Sequence, residues 1–371
     1  AEAVRHEAAE KTAVLSNDVA RITISSWGGG VTGVELNDYP QTLAKGSAPI
    51  RFDFSQRPAL SLADIPGLST NHDFALTVNG STVTVERTTS QQLQFTRSIV
   101  LVDQYRLDVT ETFVNLGKDA LTITNHSLSM GPMHLVHSKA NTGVLTLGLD
   151  VMPDGGSNVE LLGDEWLTKM FGGSSSMFGC SRASATHMPA EASELVNMPA
   201  TWGAVKDKFF VQILRPDTAS VSCRLLATRD TNAAELVINS VAMDLICEGK
   251  VLQPGEPLTR KISYYVGPKK YDVLKKLGHY QDQVMLYAYK GWGWFRGVCS
   301  ACLWTLNKIY EFIPNYGIAI ILLTLLVRVI FWPVTHKSSE SMKKMQAIQP
   351  LVKELQAKYK GNPQKLQMET M

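Results

Sequence analysis

The sequence predicts a mainly β protein joined to membrane α-helices, and three observations carry that reading. Polar and apolar residues alternate between turn signals from Val14 to about Val266, and a near-continuous apolar run covers Gly317 to Trp332. Seven lysines against three glutamates then follow from Lys337 to the end. Over all 371 residues this asymmetry is hidden by an even balance, 36 Lys and Arg against 34 Asp and Glu. Such a balance carries no basic footprint for nucleic acid.

The β part opens with VARITISSWGGGVTGVEL, two alternating runs around glycines. Gly28, Gly30 and Gly33 there fit G-x-G-x-x-G, but the motif leads into a second strand and offers no helix N-terminus to a phosphate. It reads as a glycine hairpin turn. FALTVNGSTVTVERT sets Asn79-Gly80 between alternating segments, a strong hairpin signal. QLQFTRSIVLV, YRLDVTETFVN and ALTITNHSLSM follow at roughly ten-residue spacing, and KFFVQIL, VSCRLLATR, ELVINSVAMDLI and RKISYYVG continue the series. The spacing predicts one large antiparallel β-sandwich over residues 13–267, after a linker at 1–12.

KKYDVLKKLGHY opens a short helix within the connecting residues 268–290. Over 291–314, helical geometry puts Phe295, Val298, Cys299, Cys302, Leu306, Ile309, Tyr310 and Ile313 on one face, with Arg296, Ser300, Asn307 and Glu311 opposite. A single apolar side predicts a helix lying in a membrane interface, with Trp292, Trp294 and Trp304 at headgroup level. A soluble helix packed on the sandwich is the alternative. Residues 316–334 make a helix of about 28 Å, enough to cross the hydrocarbon core. In 336–371, Met342, Met345, Ile348, Val352, Leu355 and Tyr359 form one stripe before a turn at Gly361-Asn362-Pro363. That pattern predicts a cytoplasmic helical hairpin, first arm and start of the second, with Pro350 kinking the first arm.

Lysines packed against one end of an apolar helix mark the cytoplasmic end, which sends everything before Tyr316 to the periplasm or cell exterior. The chain begins at Ala1 with no signal sequence and stops at Met371 inside a helical pattern. It reads as a fragment at both ends, following a cleaved signal or an earlier anchor. Cys180, Cys223 and Cys247 fall in the exported part, an odd number that indicates no complete disulfide framework. Cys299 and Cys302 have C-x-x-C spacing but no preceding strand, and read as small apolar helix residues.

One residue in the apolar run asks for a reason. Arg328 sits inside ILLTLLVRVIFWPV. A central arginine costs roughly 2.5–3.5 kcal/mol on the insertion scale, and about a dozen apolar neighbours each return roughly 0.3–0.6, so the helix still inserts. Snorkelling toward the cytoplasmic headgroups, about 10 Å away, is one account. The other starts from periodicity, which puts Gly317, Ile321, Thr324, Arg328 and Thr335 in one narrow sector. A face with two hydroxyls and a guanidinium suits a water-filled cavity better than lipid, and that reading is preferred. One helix cannot enclose a cavity, so partner helices are expected.

These residues resemble the YidC-type membrane protein insertases of Gram-negative bacteria, the form with a large periplasmic domain. GWGWF, then NYGIAIILLTLLVR, a proline five residues after the arginine, SMKKMQAIQP and the Gly-Asn-Pro turn match the family's order of segments. VLSNDVARITISSWGGGVTGVELNDYP and YYVGPKKYDVL are similar to the start and end of its periplasmic domain. The resemblance implies a supersandwich-like fold and an insertase and chaperone of the bacterial inner membrane, not an enzyme, with no cofactor. It implies a hydrophilic groove among five membrane helices, with Arg328, Thr324, Trp332 and Thr335 on its side. Partners so implied are nascent membrane proteins, the Sec translocon, the ribosome and the lipid bilayer, with no nucleic acid.

Two other readings stay open at this stage. A membrane-anchored sugar-binding or epimerase-like sandwich would need a paired acid and base, for which His126, His134, His137 and Glu111 are available. HLVH is equally an alternating strand with satisfied histidines, and zinc there lacks further ligands at a useful spacing. A one-span sensor explains the topology but not the Thr-Arg-Thr face.

Overall fold

A computed structural model describes residues 8–42, 44–134, 147–171, 190–229, 238–285 and 293–358. The chain divides into two compact units, Ala1–Ala288 and Tyr289–Met371.

The first unit is built from antiparallel sheets. β1 (Thr12–Ser16), β2 (Ala20–Ser25), β3 (Val31–Pro40) and β4 (Pro49–Asp53) pair in that order. A nine-stranded sheet runs β14 (Glu160–Leu161), β13 (Gly148–Pro153), β16 (Ala200–Lys206), β17 (Phe210–Pro216), β21 (Pro257–Pro268), β9 (Arg106–Asn115), β8 (Leu93–Leu101), β7 (Thr82–Thr88) and β6 (Ala75–Asn79). A six-stranded sheet runs β15 (Glu191–Val196), β18 (Ser222–Arg229), β19 (Ile238–Cys247), β11 (His126–Ser129) and β5 (Leu62–Ala63), with β12 (Met133–His134) also on β19. The short strands β10 (Leu121–Ile123) and β20 (Lys250–Leu252) pair with each other.

Alternation explains most of these strands. Leu93, Phe95 and Ile99 of β8 and Leu107, Val109 and Phe113 of β9 all point inward, and one continuous apolar core joins them to Leu128, Met243 and Leu245 of the facing sheet. Gly203 permits that approach, because a Cβ there would lie 2.7 Å from Met243 Sδ. The β6–β7 hairpin closes one residue later than the Asn-Gly signal suggests. Asn79 pairs with Thr82, and Gly80, at φ +59°, and Ser81 make the loop. The glycine run is the β2–β3 turn, with Gly28 and Gly29 at φ +69° and +61°. Helices α1 (Gly163–Phe171) and α2 (Tyr271–Leu277) and a short 3-10 helix at Gln281–Val284 also belong to the unit.

Among the described residues, the second unit holds α3 (Gly293–Phe312) and α4 (Tyr316–Lys358). Asn315 caps α4: its Oδ1 accepts from the Gly317 amide at 2.9 Å and the Ile318 amide at 3.4 Å. Tyr310 and Tyr316 stack across the break with centroids 4.0 Å apart, and Ala319 is buried. The sequence separates a span ending at Val334 from a helical arm starting at residue 336. The structure joins them in one helix of 43 residues that continues through Pro333 and Pro350. The proposed turn at Gly361-Asn362-Pro363 and the second arm lie outside the described residues.

Candidate functional site

Among the described residues, one helix is long and apolar enough to cross a membrane, over Tyr316–Gln346 of α4. Its apolar side chains face outward all round: Leu325, Val329, Ile330 and Phe331 are each more than half exposed. A helix apolar on every side belongs in lipid or among other apolar helices. Arg328 is exposed on this surface and, among the described residues, makes no hydrogen bond or ion pair.

Thr324, Arg328 and Thr335 occupy one sector of α4, with Trp332, 68% exposed, one turn beyond the arginine. The hydroxyls behave differently from the guanidinium. Thr324 Oγ1 donates to Ile320 O at 2.8 Å, and Thr335 Oγ1 donates to Phe331 O at 2.9 Å. Each threonine therefore satisfies its donor within its own helix turn and demands no water. Arg328 is left as the group on this face whose charge must be met from outside α4.

On α3, Cys299, Cys302, Leu306, Ile309 and Tyr310 are partly buried, while Val298 and Trp304 are exposed. Trp304 is 64% exposed, Trp294 lies in the first turn of α3, and Trp292 falls outside the described residues. Cys299 and Cys302 are free thiols, as are the buried Cys223 and Cys247.

The groups that a sugar enzyme would need are committed elsewhere. Glu111 is fully buried, and two arginines hold it from either side: Arg97 Nη2 donates to Oε1 at 2.6 Å and Arg260 Nε donates to Oε2 at 2.9 Å. Burial alone would raise its pKa, but Arg260 and Arg97 outweigh that and hold the carboxyl below its ordinary value. Arg260 Nη1 donates to His126 Nε2 at 3.0 Å; since arginine only donates, the ring proton sits on Nδ1 and points to Thr124 O at 3.1 Å. Burial first, and then the Arg260 charge, push His126 down to about 4. A neutral histidine with both nitrogens engaged, beside a carboxylate locked by two guanidiniums, is a structural cluster and not an acid–base pair. His134 is exposed at the end of β12, and His137 lies outside the described residues. Among the described residues, no three His, Cys, Asp or Glu side chains gather as metal ligands.

Sequence reasoning did not find this cluster, though a signal was present. Arg97, Glu111 and Arg260 each occupy an inward position of an alternating strand, and the register sets Arg97 and Arg260 opposite Glu111.

The family comparison now bears on both units. The model of the YidC periplasmic domain matches residues 12–148 and 162–305, and that of the 60Kd inner membrane protein matches 308–371. The chain belongs to the YidC family. Relatives named membrane protein insertase YidC include one from Citrifermentans bemidjiense, 27% identical over 96% of this chain and 62% of the relative. Another, from Geobacter sp. (strain M21), is 28% identical over 96% of this chain and 62% of its own length. The chain thus spans about three fifths of the YidC relatives that it matches. A galactose mutarotase-like protein from Lactobacillus casei covers 69% of this chain and 100% of its own at 10% identity, with a TM-score of 0.44. That likeness bears on neither ligand nor activity. Within the YidC framework, the antiparallel sandwich is the periplasmic-domain part and α4 is the apolar helix of the inner membrane part.

Proposed function

We propose that this chain serves as part of a membrane protein insertase and chaperone, in which α4 presents Arg328 to a hydrated groove in the inner membrane. The observation that carries the reading is Arg328 itself, an exposed guanidinium, unpaired among the described residues, in the apolar stretch of α4. An intramembrane charge of that kind faces the interior of a helix assembly or a water-filled cavity. Helices beyond α4 would close the groove.

The reaction is transfer, not bond chemistry, and no catalytic residue or cofactor is assigned. Arg328 attracts the acidic or polar tail of a nascent membrane protein, while the following apolar segment moves into lipid. Moving one charge across the membrane potential is worth about 2.3 kcal/mol for each roughly 100 mV, which assists an acidic tail moving outward. Thr324, Trp332 and Thr335 flank the arginine; with both hydroxyls bonded inside the helix, Arg328 supplies the polarity. The lysine-bearing continuation of α4 after Thr335 is the cytoplasmic end, where substrate arrives from the ribosome, with or without the Sec translocon. Trp294 and Trp304 hold α3 at the headgroups on the opposite side, with the sandwich in the periplasm.

The test is Arg328→Ala in the complete insertase, with insertion of several single-span substrates measured by protease protection of their polar exported tails. Insertion falls while the sandwich keeps its thermal transition. Undiminished insertion across those substrates removes the groove role.

A further inference from the structure

The two ends of the nine-stranded sheet differ in charge and in what they expose. At one end lie the β8–β9 turn, the β16–β17 turn and the close of β21 with α2, as the pairings Leu101 with Leu107 and Phe210 with Pro268 require. Residues 101–106, 206–210 and 267–277 there hold seven Lys and Arg against three Asp. At the other end, residues 88–93, 114–121 and 247–257 hold two lysines against three acidic residues.

The cationic end is also aromatic and apolar at its tips. Lys208, Lys270 and Lys275 are exposed, and their ammonium groups lie 5.4, 5.5 and 5.4 Å from the ring centroids of Phe209, Tyr39 and Tyr271. Phe209 is 52% exposed and Val102 42%, each within its turn; Val78, 52% exposed, comes just before the β6–β7 turn at the same end. Two of the acids and two of the cations are already engaged: Asp103 pairs with Arg106, Asp207 accepts the Phe209 and Phe210 amides, and Lys206 pairs with the buried Asp150. The exposed lysines of this end are Lys208, Lys270, Lys275 and Lys276. A hollow of about 280 Å³ opens between the β8–β9 turn and α2, with Arg106 and Lys276 on its wall.

Exposed ammonium groups over aromatic faces, beside apolar tips, fit a surface where phosphates overlie hydrocarbon. β21 is the last strand among the described residues, and 47 residues separate Pro268 from the start of the membrane-crossing helix at Tyr316. We infer that this end of the sandwich, centred on Lys208, Phe209, Lys270, Lys275 and Lys276, docks on anionic phospholipid headgroups. The inference rests on α4 crossing a bilayer and not on the insertase reading. It adds a lipid contact made by the β unit itself, apart from the tryptophans of α3.

The full chain is reconstituted in nanodiscs of phosphatidylcholine alone and of phosphatidylcholine mixed with phosphatidylglycerol, and amide hydrogen exchange is followed in both. In the anionic discs, residues 206–210 and 269–277 exchange severalfold more slowly, while 116–120 and 253–256 at the opposite end are unchanged. High salt removes the protection in the native chain. The triple variant Lys208→Glu, Lys275→Glu, Lys276→Glu removes it at low salt. Equal exchange in the two lipids, or protection that survives both salt and charge reversal, overturns the inference. Because no substrate is present, this outcome is independent of the Arg328 insertion assay.

Discussion

The two units of this molecule handle arginine in opposite ways. In the sandwich, Arg97 and Arg260 are buried, and every contact that makes this tolerable comes from the same unit: Glu111 between them, Gly29 O accepting from Arg97 Nη1 at 2.6 Å, and the ring of His126 against Arg260. In the helical unit, Arg328 stands exposed amid apolar side chains with no hydrogen bond or ion pair among the described residues. A buried ion cluster locks a fold because removing any one member strands the others. A charge left unmatched on an apolar span is available to something outside the helix. The same residue type is therefore structural in one unit and the proposed functional group in the other.

That contrast can be broken most sharply at Glu111. Glu111→Ala leaves two guanidiniums facing each other in the core, and the sandwich should lose about 3–5 kcal/mol in denaturant unfolding. Replacing all three of Arg97, Glu111 and Arg260 by apolar residues of similar volume should cost far less, because no charge is then stranded. Equal losses would show that packing and not charge pairing dominates the site.

A somewhat smaller effect follows from His126, whose pKa is depressed from 6.5 to about 4. Its contribution to stability is fully present above pH 6.5 and is lost as pH falls toward about 4, because the unfolded chain takes up the proton first. The loss amounts to about 3 kcal/mol at most. Thermal unfolding followed between pH 7 and 4 should show it, and His126→Gln should flatten that part of the profile.

Arg328→Ala should leave the stability of the sandwich within about 0.5 kcal/mol, since no hydrogen bond or ion pair among the described residues is removed, while insertion falls. Stability lost in step with insertion would erase the distinction between the units. Smallest of all should be Thr335→Val, which deletes a hydroxyl bonded to Phe331 O within its own helix. If its insertion defect equalled that of Arg328→Ala, the polarity of the face would belong to the stripe and not to the arginine.

Much of this was legible from periodicity. Alternation located β8, β9, β18 and the first half of β21, because one face of each meets the core and the other is wetter. β13 and β16 were missed for the complementary reason: nearly all their residues are buried, so GLDVMP and ATWGAVK show no alternation. The helical period likewise placed Thr324, Arg328 and Thr335 on one face. It could not reveal that both hydroxyls turn back on their own carbonyls, which depends on rotamer. The Arg97–Glu111–Arg260 cluster lay between these cases. Each residue sits in an inward register, but their meeting required the pairing of three strands separated by up to 163 positions in sequence, which no local pattern encodes.

The unbroken course of α4 has a consequence of phase. A loop at Thr335 would let the cytoplasmic arm take any rotation relative to the span, whereas a continuous helix carries its angular count through. Met342 therefore lies about 40° around the axis from Arg328 and about 21 Å further along it, and the two are geared together. Any partner that grips the arm and twists it turns the arginine by the same angle. Prolines at 333 and 350 can tilt the shaft but cannot reset that count.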